Sequence, residues 1–135
     1  MRIYLAGRVS KRPILQSWAA LLEQDGHVIV SRWSKRGSNH VSVDGLSPRA
    51  ADAERKRFAK EDIEDIHACD CMLSMMEAPR SNGRGGRHVE FGYGLALGKA
   101  QIIVGDRETV FHHLPGVYHC EDFEQARRFL AGGQP

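Results

Sequence analysis

The sequence predicts a single α/β domain built on a doubly wound, mainly parallel sheet of five strands with helices on both faces. Two observations carry that reading. Short apolar runs alternate with amphipathic helical stripes along the chain, and strand–helix–strand repeats close into parallel sheets with right-handed crossovers. At 135 residues, 41% hydrophobic and 27% charged, the chain also has the size and balance of one ordinary globular domain with a core of its own. Residues 1–135 are therefore read as one domain. The same composition excludes a disordered tail, a collagen-like repeat and a disulfide-stapled miniprotein.

Arg2 to Ala6 is an apolar run stopped by Gly7, the first strand. Pro13 opens a helix whose Ile14, Leu15, Trp18, Leu21 and Leu22 form one apolar stripe. Gly26 stops it at the C′ position. His27 to Ser31, around Val28-Ile29-Val30, is the second strand. Ser34 to Arg49 is polar and holds Gly37, Gly45 and Pro48; a loop this long in a compact domain commonly serves function. Ala50 to His67 reads as a helix with Phe58, Ala59, Ile63 and Ile66 as its buried stripe. Asp70 to Met76 is the third strand, so uniformly apolar that both its faces are expected to be covered. Glu77 to Gly86 is a loop, followed by a helix to Leu97 with Val89, Tyr93, Ala96 and Leu97 inward. Ala100 to Gly105 is the fourth strand and Glu108 to Leu114 a short helix closed by Pro115-Gly116. Val117 to His119 is a fifth strand, and Glu121 to Leu130 a last helix with Phe123, Ala126, Phe129 and Leu130 inward. The order is flavodoxin- or Rossmann-like. Ligands in such sheets bind beyond the carboxyl ends of the strands, at the topological switch point. That directs attention to Gly7, Arg8 and Ser10 after the first strand, and to the loop between Glu77 and Glu90 after the third.

Charge is sorted along the chain. Residues 1–60 carry 12 Lys and Arg against 5 Asp and Glu, and residues 61–135 carry 7 against 12. The basic run Arg55-Lys56-Arg57-Lys60 is interleaved with Glu54, Glu61 and Asp62, so it reads as a solvated helix face, and no nucleic-acid partner is expected. No apolar run reaches membrane-helix length, and the apolar start is too short for a signal peptide, so a cytoplasmic protein with no membrane association is expected. Cys69, Cys71 and Cys120 fit reduced, buried thiols. The histidines lack metal-binding spacing: His112 and His113 are adjacent, His88 and His119 isolated. No metal is expected. A Walker A loop, a G-x-G-x-x-G after the first strand and a G-x-S-x-G elbow are all missing.

The most informative stretch is Ser81-Asn82-Gly83-Arg84-Gly85-Gly86-Arg87-His88-Val89-Glu90. Glycines before a helix let a ligand approach the backbone, and free N–H groups with the helix dipole favour an anion there. Arg84 and Arg87 add permanent charge suited to phosphate or carboxylate. Glu90 falls in the first turn or so of the following helix, where the dipole and the arginines, Arg87 at i, i+3, are expected to keep it ionised. An ionised carboxylate at a sugar-sized site can attack an anomeric carbon.

With these residues placed, the sequence resembles the nucleoside 2-deoxyribosyltransferase superfamily, which includes the 2′-deoxynucleoside 5′-phosphate N-hydrolases. The resemblance covers nearly the whole chain. It rests on Ile3-Tyr4-Leu5-Ala6-Gly7, on residues 59–66 leading to Asp70, and most specifically on residues 85–99, a Gly-rich turn, a glutamate and a small-residue helix ending Gly98-Lys99. The resemblance implies that Glu90 is the nucleophile at C1′, Asp62 the acid that contacts and protonates the departing base, and Tyr4 the group that orients the glutamate. Asp70 is read as structural. Six residues before the nucleophile, the base-exchanging transferases have an aspartate on the sugar 5′-hydroxyl and the phosphate-using hydrolases a serine; here the position is Arg84. An arginine there fits a 5′-phosphate better than a hydroxyl, with Arg8 and Ser10 nearby. The family often completes its site with a neighbouring subunit, which implies a homo-oligomer.

The function expected is cleavage of the N-glycosidic bond of a nucleoside 5′-monophosphate or nucleoside through a glycosyl-Glu90 intermediate, the sugar passing to water or another base. Gly7, Arg8, Ser10, Arg84, Gly85, Gly86 and Arg87 would bind the substrate, and no cofactor is needed. The competing reading is a non-catalytic nucleotide-binding or sensing module on the same fold. Tyr4, Asp62 and Glu90 together argue against it, since binding alone needs no nucleophile. A phosphohydrolase is a third reading.

Overall fold

The structure, a computed structural model, describes residues 1–35, 43–77 and 85–133. The strands are β1 (Arg2–Ala6), β2 (Val28–Ile29), β3 (Cys71–Met76), β4 (Ala100–Gly105) and β5 (Val117–Cys120). All pairings are parallel, in the order β2-β1-β3-β4-β5. That is a doubly wound sheet whose chain reverses direction of travel between β1 and β3. The helices are α1 (Arg12–Gln24), α2 (Arg32–Lys35), α3 (Pro48–Ala68), α4 (Gly86–Ala96) and α5 (Phe123–Leu130), with 3-10 turns at Val9–Lys11 and Val110–His113.

The central strands carry the core. Ile3, Tyr4, Leu5 and Ala6 of β1, and Met72 and Leu73 of β3, are fully buried, as the apolar runs predict. Tyr4 pairs in register with Met72 and Ala6 with Ser74, so the ends of β1 and β3 finish side by side. Gly7 follows β1 because a Cβ there would meet Leu15 Cδ1 at 2.9 Å. On one face α1 and α5 meet through Trp18 and Phe123, whose rings stack at 4.5 Å. On the other face α3 and α4 pack together across β1. Asp70 is structural, as expected: its Oδ2 accepts the Arg2 backbone N–H at 2.8 Å.

Several expectations need correction. The second strand is only Val28–Ile29, and Arg32–Lys35 forms a short helix where a loop is expected from Ser34; the rest of that loop as far as residue 42 lies outside the described residues. Helix α3 begins two residues early, because Ser47 accepts from the Ala50 N–H and Pro48 occupies the first turn. Its buried residues are Ala51, Asp65 and Ile66; Ile63 is exposed and Phe58 only half-buried. A helix of 21 residues runs about 31 Å, whereas strands of this length run about 20 Å. Only part of α3 can therefore lie on the sheet. In α4 most of the expected stripe faces outward: Val89 is 69% exposed and Leu97 39%, while Tyr93 alone of it packs against the core. Arg87, Phe91 and Gly94 face inward instead. A Cβ on Gly94 would stand 2.0 Å from Met72 Sδ, so glycine is what lets this helix close on β3.

Candidate active site

Three elements bring the three expected catalytic side chains together. Tyr4 comes from the middle of β1, Asp62 from the last third of α3 and Glu90 from the second turn of α4. Gly85 starts α4 with a positive φ of 80°, a conformation that favours glycine, and the helix then carries Glu90 back over β1.

No described cation figures among the groups that set the Glu90 pKa. Burial pushes the Glu90 carboxyl up from 4.5 to about 8; Tyr4 draws it down by hydrogen bonding and Asp62 pushes it up by like charge. Tyr4 is raised well above its ordinary value, first by burial and then by the charges of Glu90 and Asp62. The Tyr4–Glu90 approach is loose, because neither Tyr4 Oη nor Glu90 Oε2, both shut off from solvent, closes a well-aligned hydrogen bond. The expectation that Glu90 is held ionised is therefore overturned. Desolvation and a second carboxylate outweigh the helix dipole, whose effect falls off within the first turn. At neutral pH the site keeps a proton on Glu90.

The arginine expected beside it is engaged elsewhere. Arg87, 7% exposed, donates from Nε at 3.3 Å and from Nη2 at 3.1 Å to the Glu108 carboxylate. It does not form the i, i+3 pair with Glu90. Glu108 offers a buried, two-pronged acceptor, and its own backbone N–H is held by His112 Nδ1 at 3.0 Å. His112 thereby keeps its proton on Nε2, and burial holds its pKa down.

Of the expected substrate-binding residues, Gly7, Arg8 and Ser10 follow β1, and Gly85 and Gly86 open α4. Both groups lie at the carboxyl end of the sheet. Arg84 falls outside the described residues. Arg8 is largely buried and reaches across to the end of β3, where its Nη2 donates to the Glu77 carbonyl at 3.2 Å and its Nη1 lies 3.4 Å from Glu77 Oε1. Lys11 Nζ lies 3.8 Å from Glu77 Oε2.

Sequence reasoning missed three residues here. Glu77 could have been found by position, as the first residue after the third strand. Asp65 lies one turn beyond Asp62, 6% exposed, and accepts from the Arg32 N–H and Nε at 2.9 Å; its charge also bears on Tyr4. Arg12, 5% exposed at the start of α1, carries no sequence signal of burial. A separate apolar cleft of about 570 Å³ flanks α4, lined by His88, Phe91, Gly92, Leu95, Thr109 and Phe111. Among the described residues no helix is long and apolar enough to cross a membrane.

The family model for nucleoside 2-deoxyribosyltransferases matches residues 3–127. The chain belongs to the nucleoside 2-deoxyribosyltransferase family. No curated protein matches it. Among solved structures it is similar to a CMP N-glycosidase of Clostridium botulinum, at 19% identity and a TM-score of 0.61, over 97% of this chain and 98% of that one. It is also similar to a 2-deoxyribosyltransferase of Bacillus psychrosaccharolyticus, at 18% identity and 0.69, over 93% and 90%. A third is the Leishmania mexicana 2-deoxyribosyltransferase, at 21% and 0.51, over 87% and 76%. At these identities the likeness is one of fold.

Proposed function

We propose that the protein cleaves the N-glycosidic bond of a nucleoside 5′-monophosphate through a covalent glycosyl-Glu90 ester. The observation that carries this reading is the meeting of the buried Glu90 and Tyr4 with Asp62 at one site, with Glu90 titrating near 8. Two neighbouring carboxyls in different surroundings divide naturally into a nucleophile and an acid. As the base departs, the proton leaves Glu90 and passes through Asp62 to a base nitrogen. The Glu90 oxygen, now anionic, bonds to C1′ as the C1′–N bond breaks. Water or a second base then attacks C1′, the ester C1′–O bond to Glu90 breaks, and the proton given up by the attacking group returns to Glu90. Tyr4 steadies the carboxylate as it forms.

Arg8 and Ser10, with Arg84, would anchor the 5′-phosphate, and Gly7, Gly85 and Gly86 would let the nucleotide approach the backbone. A monophosphate substrate also fits the CMP N-glycosidase likeness. In this reading Arg87 serves through Glu108, by fixing the first turn of α4. Val89, Val110 and Phe111, 69%, 77% and 60% exposed, are the apolar surface on which a second copy would pack to complete the site. The protein would act in the cytoplasm.

The test is incubation with ribo- and deoxynucleosides and their 5′-monophosphates, with and without an acceptor base. Chromatography reads released or exchanged base, and intact-mass spectrometry reads the glycosyl adduct. Base release and an adduct that disappears in Glu90→Gln are expected. Undiminished release by that variant would refute the mechanism.

A further inference from the structure

The end of β3 places a carboxylate where an anionic substrate would need to go. Arg8 and Lys11 are the cations immediately after β1, on the strand next to β3. Both face Glu77, Arg8 through its Nη1 at 3.4 Å and Lys11 through Nζ at 3.8 Å. The Arg8 Nη2 donates to the Glu77 carbonyl as well, at 3.2 Å. One residue thus meets Arg8 with both its main chain and its side chain. The main-chain bond fixes where the guanidinium sits. The side-chain pairs do not share that firmness: Glu77 Oε1 is buried yet makes no aligned hydrogen bond, and the Glu77 side chain keeps 28% of its exposure.

We propose that Glu77 is a specificity-determining residue: its carboxylate is an internal substitute for the 5′-phosphate at Arg8 and Lys11, which a phosphomonoester must displace. This rests on the monophosphate reading above and adds to it the residue that sets how tightly the phosphate is held. The chemistry favours exchange. Partly solvated ion pairs without ideal geometry contribute little, whereas a phosphate dianion offers Arg8 bidentate, charge-assisted hydrogen bonds. The carbonyl bond keeps Arg8 in place while the carboxylate leaves. Once displaced, the carboxylate remains close to a dianion, and that repulsion weakens phosphate binding. A neutral nucleoside meets no such opposition.

The experiment is isothermal titration of the full chain with ribose 5-phosphate, with ribose as the uncharged control, for the wild type, Glu77→Gln and Glu77→Asp. Glu77→Gln retains the shape and the main-chain carbonyl but removes the charge, and is expected to bind ribose 5-phosphate about tenfold more tightly, an effect that shrinks with added salt. Glu77→Asp keeps the charge and is expected to stay within a fewfold of the wild type, which separates loss of charge from disturbed packing. In turnover, Glu77→Gln is expected to raise kcat/KM for monophosphates relative to the matching nucleosides. Equal or weaker binding of ribose 5-phosphate by Glu77→Gln would overturn the proposal and leave the monophosphate reading standing. Failure of every variant to bind ribose 5-phosphate, alongside base release from nucleosides, would overturn both.

Discussion

Replacing Glu90 by Gln tests the electrostatics of the pocket without asking anything of a substrate. The glutamine keeps the volume and stays neutral at every pH. In the wild type the carboxyl titrates near 8 instead of 4.5. A group with a raised folded-state pKa contributes its full stability below its unfolded value, near pH 4.5, and loses it as the pH rises through the folded value, near 8. At about 1.4 kcal/mol per pH unit, the loss reaches on the order of 3 kcal/mol by pH 7 and on the order of 5 kcal/mol by pH 9. The wild type and Glu90→Gln should therefore differ least near pH 4.5 and diverge steadily above it, with the variant more stable. At about 3–5 °C per kcal/mol for a domain of this size, the relative gain between pH 4.5 and 7 is on the order of 10 °C in Tm. The assay is thermal unfolding of both proteins at half-unit steps from pH 4.5 to 9. A difference in Tm that stays flat with pH would mean Glu90 is ionised throughout, and the proposed proton transfer from Glu90 would fall with it.

The same proton has a kinetic signature: kcat/KM should fall as pH rises through about 8, and Tyr4→Phe should move that limb to higher pH, because Tyr4 is the neighbour that lowers the Glu90 pKa. An unmoved limb in Tyr4→Phe would remove Tyr4 from the site. Glu108→Ala strands the buried Arg87 guanidinium and should cost about 3–5 kcal/mol in denaturant unfolding, whereas Arg87→Met with Glu108→Leu should recover most of that loss. Gly94→Ala should destabilise by about 1–3 kcal/mol, because the new methyl meets Met72 Sδ; a neutral result would show that α4 can stand off from the sheet.

The centre of the sheet was legible because β1, β3 and β4 are largely buried on both faces, and continuous apolar runs such as residues 71–76 say so directly. That Tyr4, Asp62 and Glu90 meet, as their mutual charge effects reflect, was legible for a different reason: they sit in stretches whose order resembles a known family. The faces of the helices were not legible. On α4 two stripes compete, and the more hydrophobic one, through Val89 and Leu97, lost. The inward stripe contains Arg87, which hydropathy places outside until Glu108 is known to receive it, and Gly94, whose value lies in what it lacks. Asp65 makes the same point on α3, where it is buried because Arg32 reaches it from another helix. Partners distant in sequence settle these choices, and periodicity within one helix does not register them.

Several described cations near the site are paired with carboxylates other than Glu90. Arg87 pairs with Glu108, Arg32 with Asp65 and Glu64, and Arg8 and Lys11 with Glu77. The Glu90 pKa is set by burial, Tyr4 and Asp62. Had Arg87 turned toward Glu90, as the i, i+3 spacing allows, the carboxylate would be permanently ionised and would have no proton to pass to the base. It would also be a weaker nucleophile, its charge spent on the guanidinium. The Arg87–Glu108 pair therefore contributes to the proposed chemistry by withholding a cation from the nucleophile. In the proposed reading two cations of the basic first half, Arg8 and Lys11, would serve the other end of the substrate, where the 5′ anion binds. In that reading the separation of charge in the sequence becomes a separation of tasks across the crevice, with Arg8 and Lys11 toward the phosphate and Asp62 and Glu90 toward the glycosidic bond.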